Sequence, residues 1–264
     1  MPGTILIKYS TGGSSSGVIV GDSSYMYLVT ARHCLIENFN KNSVRLVAPS
    51  VVLIYYIGDP SSSKSDSLRV DLQKAFADGE LLFDSTQDIA ILSIAKFTGK
   101  TASGSPSFNY MSSATKLTLF APGIILSELD FDFDHVEVGD DCLMFGYPSS
   151  LELSSGKDYN FDRPLLRKGV IAGKDKTKGT IIIDCPSYQG NSGGPVFSVA
   201  LTNRKDPTGL IGVVSRSILQ VEELQSSYYH QTVSMNLSNS GYTIIVPIEF
   251  AEKLMKKHLA LMIK

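Results

Sequence analysis

Apolar residues in this chain fall in short runs broken by Gly, Ser, Pro and Asp, a pattern of strands joined by turns rather than of long helices. Residues 4–9 alternate weakly and predict a first strand. The runs 18–20 and 25–29 flank Gly21-Asp22-Ser23-Ser24 and predict a hairpin. Further strands are predicted over 44–47, 51–57, 67–72, 80–83 and 89–94, with Pro49 and Gly58-Asp59-Pro60 as punctuation. Residues 11–17 and 61–67 read as polar loops, and 31–37 as a short helical turn. A second set of strands is predicted over 141–147, 165–172, 180–183, 195–199, 210–214 and 242–246. The tail changes period: Phe250, Ala251, Leu254, Met255, Leu259 and Met262 recur at helical spacing with lysines between them. An amphipathic C-terminal helix is expected there, docked on the second set of strands. Many short strands mean an all-β sandwich or barrel, and periodicity does not choose between the two.

Three stretches carry candidate chemistry. Gly190-Asn191-Ser192-Gly193-Gly194-Pro195 is too rich in glycine for a strand or helix. Such a loop can hold a hydroxyl beside N–H groups aimed at one point, as an oxyanion hole requires. Val29-Thr30-Ala31-Arg32-His33-Cys34 puts a histidine at the end of a buried strand, and Gln87-Asp88-Ile89-Ala90-Ile91-Leu92 puts a carboxylate at the mouth of another. A serine hydroxyl is a weak nucleophile. It needs a base that titrates near neutrality, and the base needs a carboxylate to fix its tautomer.

VTARHC, DIAIL and GNSGGPVF, in that order, resemble the chymotrypsin-like (trypsin-fold) serine peptidases, and the resemblance spans about Gly17 to Pro247. It implies an all-β fold of two six-stranded antiparallel β-barrels with a C-terminal α-helix. The expected division is 1–96 for a barrel carrying His33 and Asp88, 97–123 for the connection, 124–247 for a barrel carrying Ser192, and 248–264 for the helix. The resemblance further implies a serine endopeptidase with Ser192 as nucleophile, His33 as general base and acid, and Asp88 as orienting carboxylate. The N–H groups of Gly190 and Ser192, with Asn191 between them, would form the oxyanion hole. Digestive members carry an aspartate where Asn191 stands, and pair it with a newly cut N-terminus. A neutral amide cannot make that ion pair, so activity without zymogen cleavage is expected. Asn191 and the segment Gly17-Val18-Ile19-Val20 look nearer to HtrA-type and other bacterial trypsin-like peptidases. The primary specificity pocket is expected at Pro186, Ser187, Val214, Ser215 and Arg216. Pro186 at its base has no charge to meet a lysine or arginine, which favours small or apolar residues before the scissile bond. Residues 217–241 form a segment longer than the family's usual loop, with Tyr228, Tyr229 and His230, and could cover the site or hold a regulatory partner. An idle, protease-like binding scaffold and a partner-activated peptidase are the rival readings.

Composition narrows the partners. Of 264 residues, 24 are Lys or Arg and 26 are Asp or Glu, and the resulting net charge of −2 gives no case for nucleic acid or an anionic membrane. No apolar run approaches a membrane span, and the N-terminus does not read as a secretory signal. Three cysteines, Cys34, Cys142 and Cys185, are an odd and sparse set. They read as buried thiols in a reducing, cytoplasmic setting, with a Cys142–Cys185 bond as the alternative. Asp130-Phe131-Asp132-Phe133-Asp134-His135 begins like a calcium loop but has His135 where glycine is needed. Neither a metal nor a cofactor is expected; the expected partner is a protein or peptide substrate.

Overall fold

In the computed structural model the described residues are 3–22, 24–40, 43–56, 65–100, 106–116, 125–126, 133–149, 163–199, 208–226 and 231–262. The chain is mostly β, in two barrel-like sheets. Strand β1 (Thr4–Tyr9) pairs antiparallel with β2 (Ser14–Gly21) and with β6 (Ser50–Tyr56). β2 continues into β3 (Tyr25–Thr30) through the expected hairpin, and β3 pairs with β9 (Ala90–Lys100). A small hairpin of β4 (Ile36–Phe39) and β5 (Val44–Leu46) follows β3, and β7 (Ser65–Asp71) and β8 (Leu81–Phe83) pair with β6 and β9. Alternation along these strands turns Ile5, Ile7, Ile19, Leu28, Leu53, Leu68 and Leu92 into one core.

This first sheet gathers ten strands, because the stretch expected to connect the halves and the start of the segment expected in the second barrel also contribute to it. β10 (Pro106–Tyr110) pairs with β9, and β11 (Ala114–Lys116) pairs with β7. β12 (Ile125–Leu126) lies parallel to β2. The second sheet is a closed six-stranded barrel of β13 (Asp141–Gly146), β14 (Leu165–Asp175), β15 (Thr180–Asp184), β16 (Pro195–Val199), β17 (Thr208–Ser226) and β18 (Gln231–Pro247). Its core holds Cys142, Met144, Ile171, Ile183, Val196 and Val214.

Three local expectations are corrected. Residues 14–17 belong to β2 rather than to a loop: Ser15 and Ser16 are buried, and their backbone pairs with β1. Their side chains are satisfied by tertiary hydrogen bonds that no local pattern reports. The strand expected over 67–72 stops at Asp71, whose carboxylate accepts from the Lys74 N–H and caps the short helix α1 (Leu72–Ala77). The C-terminal helix α2 (Glu249–Met262) docks across both halves, not on the second alone. Ala251, Leu254 and Met255 share a cluster with Tyr25, Tyr27 and Ile91 of the first sheet and Val213 and Val246 of the barrel. His258 on the same helix is fully buried, with Nδ1 at 3.1 Å from the Tyr27 hydroxyl.

Asp130 and Asp132 of the stretch that begins like a calcium loop, and Tyr228, Tyr229 and His230, lie outside the described residues. Asp134 of that loop is held by Lys176 at 2.8 Å. Among the described residues no cluster of His, Cys, Asp or Glu could hold a metal ion.

Candidate active site

β3 ends at Thr30, and the chain turns through a single 3-10 turn (Arg32–Cys34) that carries His33. The segment before Asp88 is shaped by Asp84, whose Oδ1 accepts from the N–H groups of Thr86 and Gln87. Arg32 clamps the same segment by donating from Nη1 to the carbonyls of Asp84 and Gln87, at 2.7 and 2.9 Å. Asp88 is thereby presented to His33 twice. Its Oδ2 lies 2.8 Å from His33 Nδ1, and its Oδ1 accepts from the His33 backbone N–H at 3.0 Å. The Ser215 hydroxyl donates to Oδ2 at 2.6 Å.

These contacts set the protonation. Burial opposes the Asp88 charge, but the hydrogen bonds from His33 and Ser215 and the attraction of the imidazole outweigh it and hold the carboxyl at about 2. Burial likewise opposes a charge on His33. The Asp88 hydrogen bond and charge act the other way, and the imidazole is raised above its ordinary value. With 49% of the His33 side chain exposed, water screens that rise.

The serine loop is held mainly by its own backbone. Gly193 N–H donates to the Val214 carbonyl at 2.7 Å, Val214 N–H to Gly194 at 2.9 Å, and Gly194 N–H to Asn191 at 2.9 Å. Glycine is required at Gly190 and Gly193, where φ is +95° and +80°. A Cβ on Gly190 would lie 2.2 Å from the Tyr147 carbonyl, and one on Gly193 would lie 2.0 Å from Thr30 Oγ1. The carbonyl of Gln189 accepts from Ser149 N–H at 2.9 Å. In a trans peptide the following N–H, that of Gly190, points the opposite way. Among the described residues neither the Gly190 nor the Ser192 N–H has a hydrogen-bond partner. Two orphan donors on either side of Asn191 can receive a developing oxyanion. Asn191 itself is 2% exposed and packs against Gly146.

A cleft of about 540 Å³ joins these pieces, lined by His33, Asp88, Ser192, Ser187, Ser215 and Arg216 among others. The structure therefore gathers all three candidate catalytic side chains on one cavity. Ser192 Oγ here donates to the Ser215 carbonyl at 3.4 Å. A rotation about χ1 is the motion available to redirect it.

The expected specificity residues divide. Ser187, Ser215 and Arg216 line the cleft, whereas Val214 is buried in the barrel core and Pro186 stays off the lining. Val214 points into the barrel and the buried Ser215 faces the cleft, while a bulge between Val214 and Arg216 brings Arg216 to the cleft as well. The floor is polar: Thr243 Oγ1 donates to Ser187 Oγ at 2.9 Å, and Asn239 Nδ2 to the Ser187 carbonyl at 2.6 Å. Gln189 and Ser217 extend that polar lining. Such walls do not favour the large apolar side chain that an uncharged base alone would allow.

Sequence reasoning missed Ser16. It is fully buried, and its hydroxyl donates to the Gly190 carbonyl at 2.7 Å and accepts from Tyr147 N–H at 2.9 Å. Its backbone N–H donates to the Ser192 carbonyl at 2.9 Å, and its carbonyl accepts from Thr30 Oγ1 at 2.7 Å. Ser16 thus ties the first sheet to the peptides on both sides of Asn191. Its only local signal is its place in the Ser-rich run before Gly17.

The fold recurs in solved structures. Human heparin binding protein overlays with a TM-score of 0.54 at 10% identity, covering 97% of this chain and 90% of its own. The thermostable serine protease AL20 from an extremophilic microorganism overlays with a TM-score of 0.51 at 15% identity, covering 96% of this chain and 93% of its own. No curated protein sequence matches the chain significantly. The trypsin-like peptidase domain family matches residues 15–202, which include His33, Asp88 and Ser192. With well over half of its length in that match, and a mostly β fold of the same kind, the chain belongs to the trypsin-like peptidase domain family.

Proposed function

We propose that the protein is a serine endopeptidase working through His33, Asp88 and Ser192. The observation that carries this reading is the pairing of Asp88 with His33 Nδ1 at 2.8 Å, on the same cleft as Ser192 and its two unpartnered amides. Family and fold alone do not decide it, because a fold hosts both catalytic and binding functions. The name of the human neighbour describes a binding protein.

In the proposed reaction His33 Nε2 takes the Ser192 proton as Oγ bonds to the peptide carbonyl carbon. The carbonyl oxygen becomes an oxyanion facing the Gly190 and Ser192 amides. Losing one such donor costs about 3 kcal/mol of transition-state stabilisation. The C–N bond then breaks as His33 returns the proton to the leaving amine. The remaining ester on Ser192 is hydrolysed by a water that His33 deprotonates. Asp88 holds the tautomer throughout and stays ionised, which its low pKa supports. Because the amides are set by Ser149, Ser16 and Val214, no new N-terminus is needed to order them. A cleft with Arg216 at its rim and Asp88 already engaged does not suit cleavage after lysine or arginine. Cys34, Cys142 and Cys185 are all buried free thiols, which favours a reducing compartment such as the cytoplasm.

A fluorophosphonate probe tests the reading: it should label Ser192 in the untrimmed chain and fail on Ser192→Ala. A folded, unlabelled wild-type protein would leave an idle scaffold as the better description. Labelling that appears only after lysate is added would favour a partner-activated peptidase.

A further inference from the structure

Most charges around the cleft are already engaged. Asp88 spends both carboxylate oxygens on His33 and Ser215. The Arg32 guanidinium donates to the Asp84 and Gln87 carbonyls and lies over the Phe39 ring, 4.6 Å from its centroid. Arg167 lies over the ring of Tyr188, a residue of the cleft wall, at 4.7 Å. Arg216 is different. It is exposed and lines the cavity, and among the described residues no carboxylate, carbonyl or ring holds its guanidinium. The Ser217 hydroxyl and the Gln189 side chain line the same cavity and, among the described residues, make no hydrogen bond either.

The backbone delivers this charge to the cleft. In a regular strand, neighbouring side chains take opposite faces. The irregularity between Val214 and Arg216 breaks that rule, and Ser215 and Arg216 both reach the cavity. The Ser215 carbonyl accepts from Ser192 Oγ at 3.4 Å, so Arg216 is rooted one residue from the nucleophile's neighbour. Nothing along its own strand pair neutralises it. Across the pair Arg216 stands opposite Ile244, and Ser217 opposite Thr243. Further out, β17 and β18 form a ribbon whose one face carries the exposed apolar Leu219, Val221 and Leu237. The next acids on β17, Glu222 and Glu223, stand beyond these, about 20 Å away at the rise of a strand.

Resting on the peptidase reading above, we propose that Arg216 selects acidic substrates. Its guanidinium holds the carboxylate of a glutamate or aspartate that lies among the three residues before the scissile bond, and Ser217 and Gln189 supply further donors. A guanidinium offers paired N–H groups in the plane that a carboxylate presents, so one contact gives both charge and geometry. The position follows from reach. An extended substrate advances about 3.3 Å per residue, and a side chain rooted next to Ser215 meets only the first few residues from the bond. The side follows from His33, which returns its proton to the leaving amine and sits on the first sheet, across the cleft from Arg216. On open surface such a pair is weak, but a bound substrate displaces water from the cleft and strengthens it. A lysine in the same place meets a like charge. A glutamine keeps the size of glutamate and loses the charge.

Quenched-fluorescence peptides with amidated C-termini test this. Each carries Glu, Gln or Lys at one of the three positions before the scissile bond, on an otherwise uncharged background. At one position or more, the Glu peptide should be cleaved with a kcat/KM about tenfold above the Gln peptide, with Lys below both. The gain should sit in KM, because the contact is remote from the reacting atoms. Arg216→Gln should bring Glu level with Gln, and Arg216→Glu should put Lys above Glu. Circular dichroism checks that both variants fold. Raising the salt from about 0.05 M to about 0.5 M should shrink the wild-type advantage of Glu several-fold, a check that needs no variant. Equal cleavage of the Glu and Gln peptides by wild type at all three positions overturns the proposal, and so does an acidic preference that survives in Arg216→Glu. If nothing is cleaved and Ser192 is not labelled, the peptidase reading fails by itself. Fluorescence anisotropy with Ser192→Ala then decides Arg216: tighter binding of the Glu peptide that is lost on adding Arg216→Gln supports it, and equal binding of the Glu and Gln peptides overturns it.

Discussion

Asp88 grips His33 through a ring hydrogen bond and a backbone hydrogen bond, and both depend on a charge that water partly screens. Ser192 sits in a loop tied by neutral main-chain bonds to Val214 and to Ser16, with glycines packed where no Cβ fits. The two halves of one catalytic site are thus held by different physics. The base is positioned by electrostatics that a pH change can undo. The nucleophile and its amides are positioned by packing and by hydrogen bonds between uncharged groups. Damage to the first side should appear in pH profiles with the fold intact. Damage to the second should appear in stability and in probe labelling together.

The largest expected effect sharpens the electrostatic side. Asp88→Asn should lower kcat by about 10⁴-fold, because the amide favours the wrong imidazole tautomer. Circular dichroism should show an unchanged fold, and a loss smaller than tenfold would mean that another group orients His33. Gly193→Ala probes the other side. Its Cβ would meet Thr30 Oγ1 and the Ser16 carbonyl, at a positive φ. Denaturant unfolding should show a loss of about 3 kcal/mol or more, with labelling of Ser192 lost alongside. Ser16→Ala is milder. It takes the Ser16 donor from the buried Gly190 carbonyl and the Ser16 acceptor from the Tyr147 N–H, at a cost of about 1–3 kcal/mol. Turnover should fall by about tenfold with the pH profile unmoved, since no charge is touched. A shifted profile would break the contrast between the two sides.

The pH dependence separates the two groups of the charged pair. Because the His33 pKa is raised, the neutral base needed for attack appears only above its ordinary value near 6.5, so the acid limb of kcat/KM should lie above that pH. Asp88→Asn should move the limb down. For stability the signs oppose each other. The depressed Asp88 contributes on the order of 2 kcal/mol that is present above the unfolded carboxyl pKa and is lost as pH falls towards about 2. The raised His33 contributes below 6.5, and that share is lost as pH rises through its folded value. Thermal unfolding across pH should show both flanks, and Asp88→Asn should flatten both. Smallest in consequence is thiol titration of the denatured protein, which should count three free thiols; a lower count would weaken the case for a reducing compartment.

Much of the molecule was legible along the chain. Apolar runs located β1, β3, β5, β6 and the first half of β9, and the hairpin across Asp22, whereas β4 was read as part of a helical turn and the end of β9 as connection. The three catalytic candidates were legible because each stands where an apolar strand meets a turn, in residue types that the chemistry restricts. Val214 and Pro186 were read as pocket walls from position alone, and only the barrel's inside and outside could separate them from Ser187 and Ser215. The hairpin ribbon of β17 and β18, Leu219–Ser226 against Gln231–Asn239, was visible as a long insertion. Its apolar face was not, because that depends on which residue of β18 stands opposite which residue of β17.

The sequence by itself determined which chemical groups were present, which segments would be strands, and that the serine lay in a glycine turn, since these follow from neighbours a few bonds apart. Tertiary structure decided that Ser16 would reach Gly190, that Ser215 would reach Asp88, and that α2 would bridge both halves. Those contacts join residues more than a hundred positions apart. A hydrogen bond over such a distance leaves no period in the chain, and it exists only once both sheets have closed around their own cores.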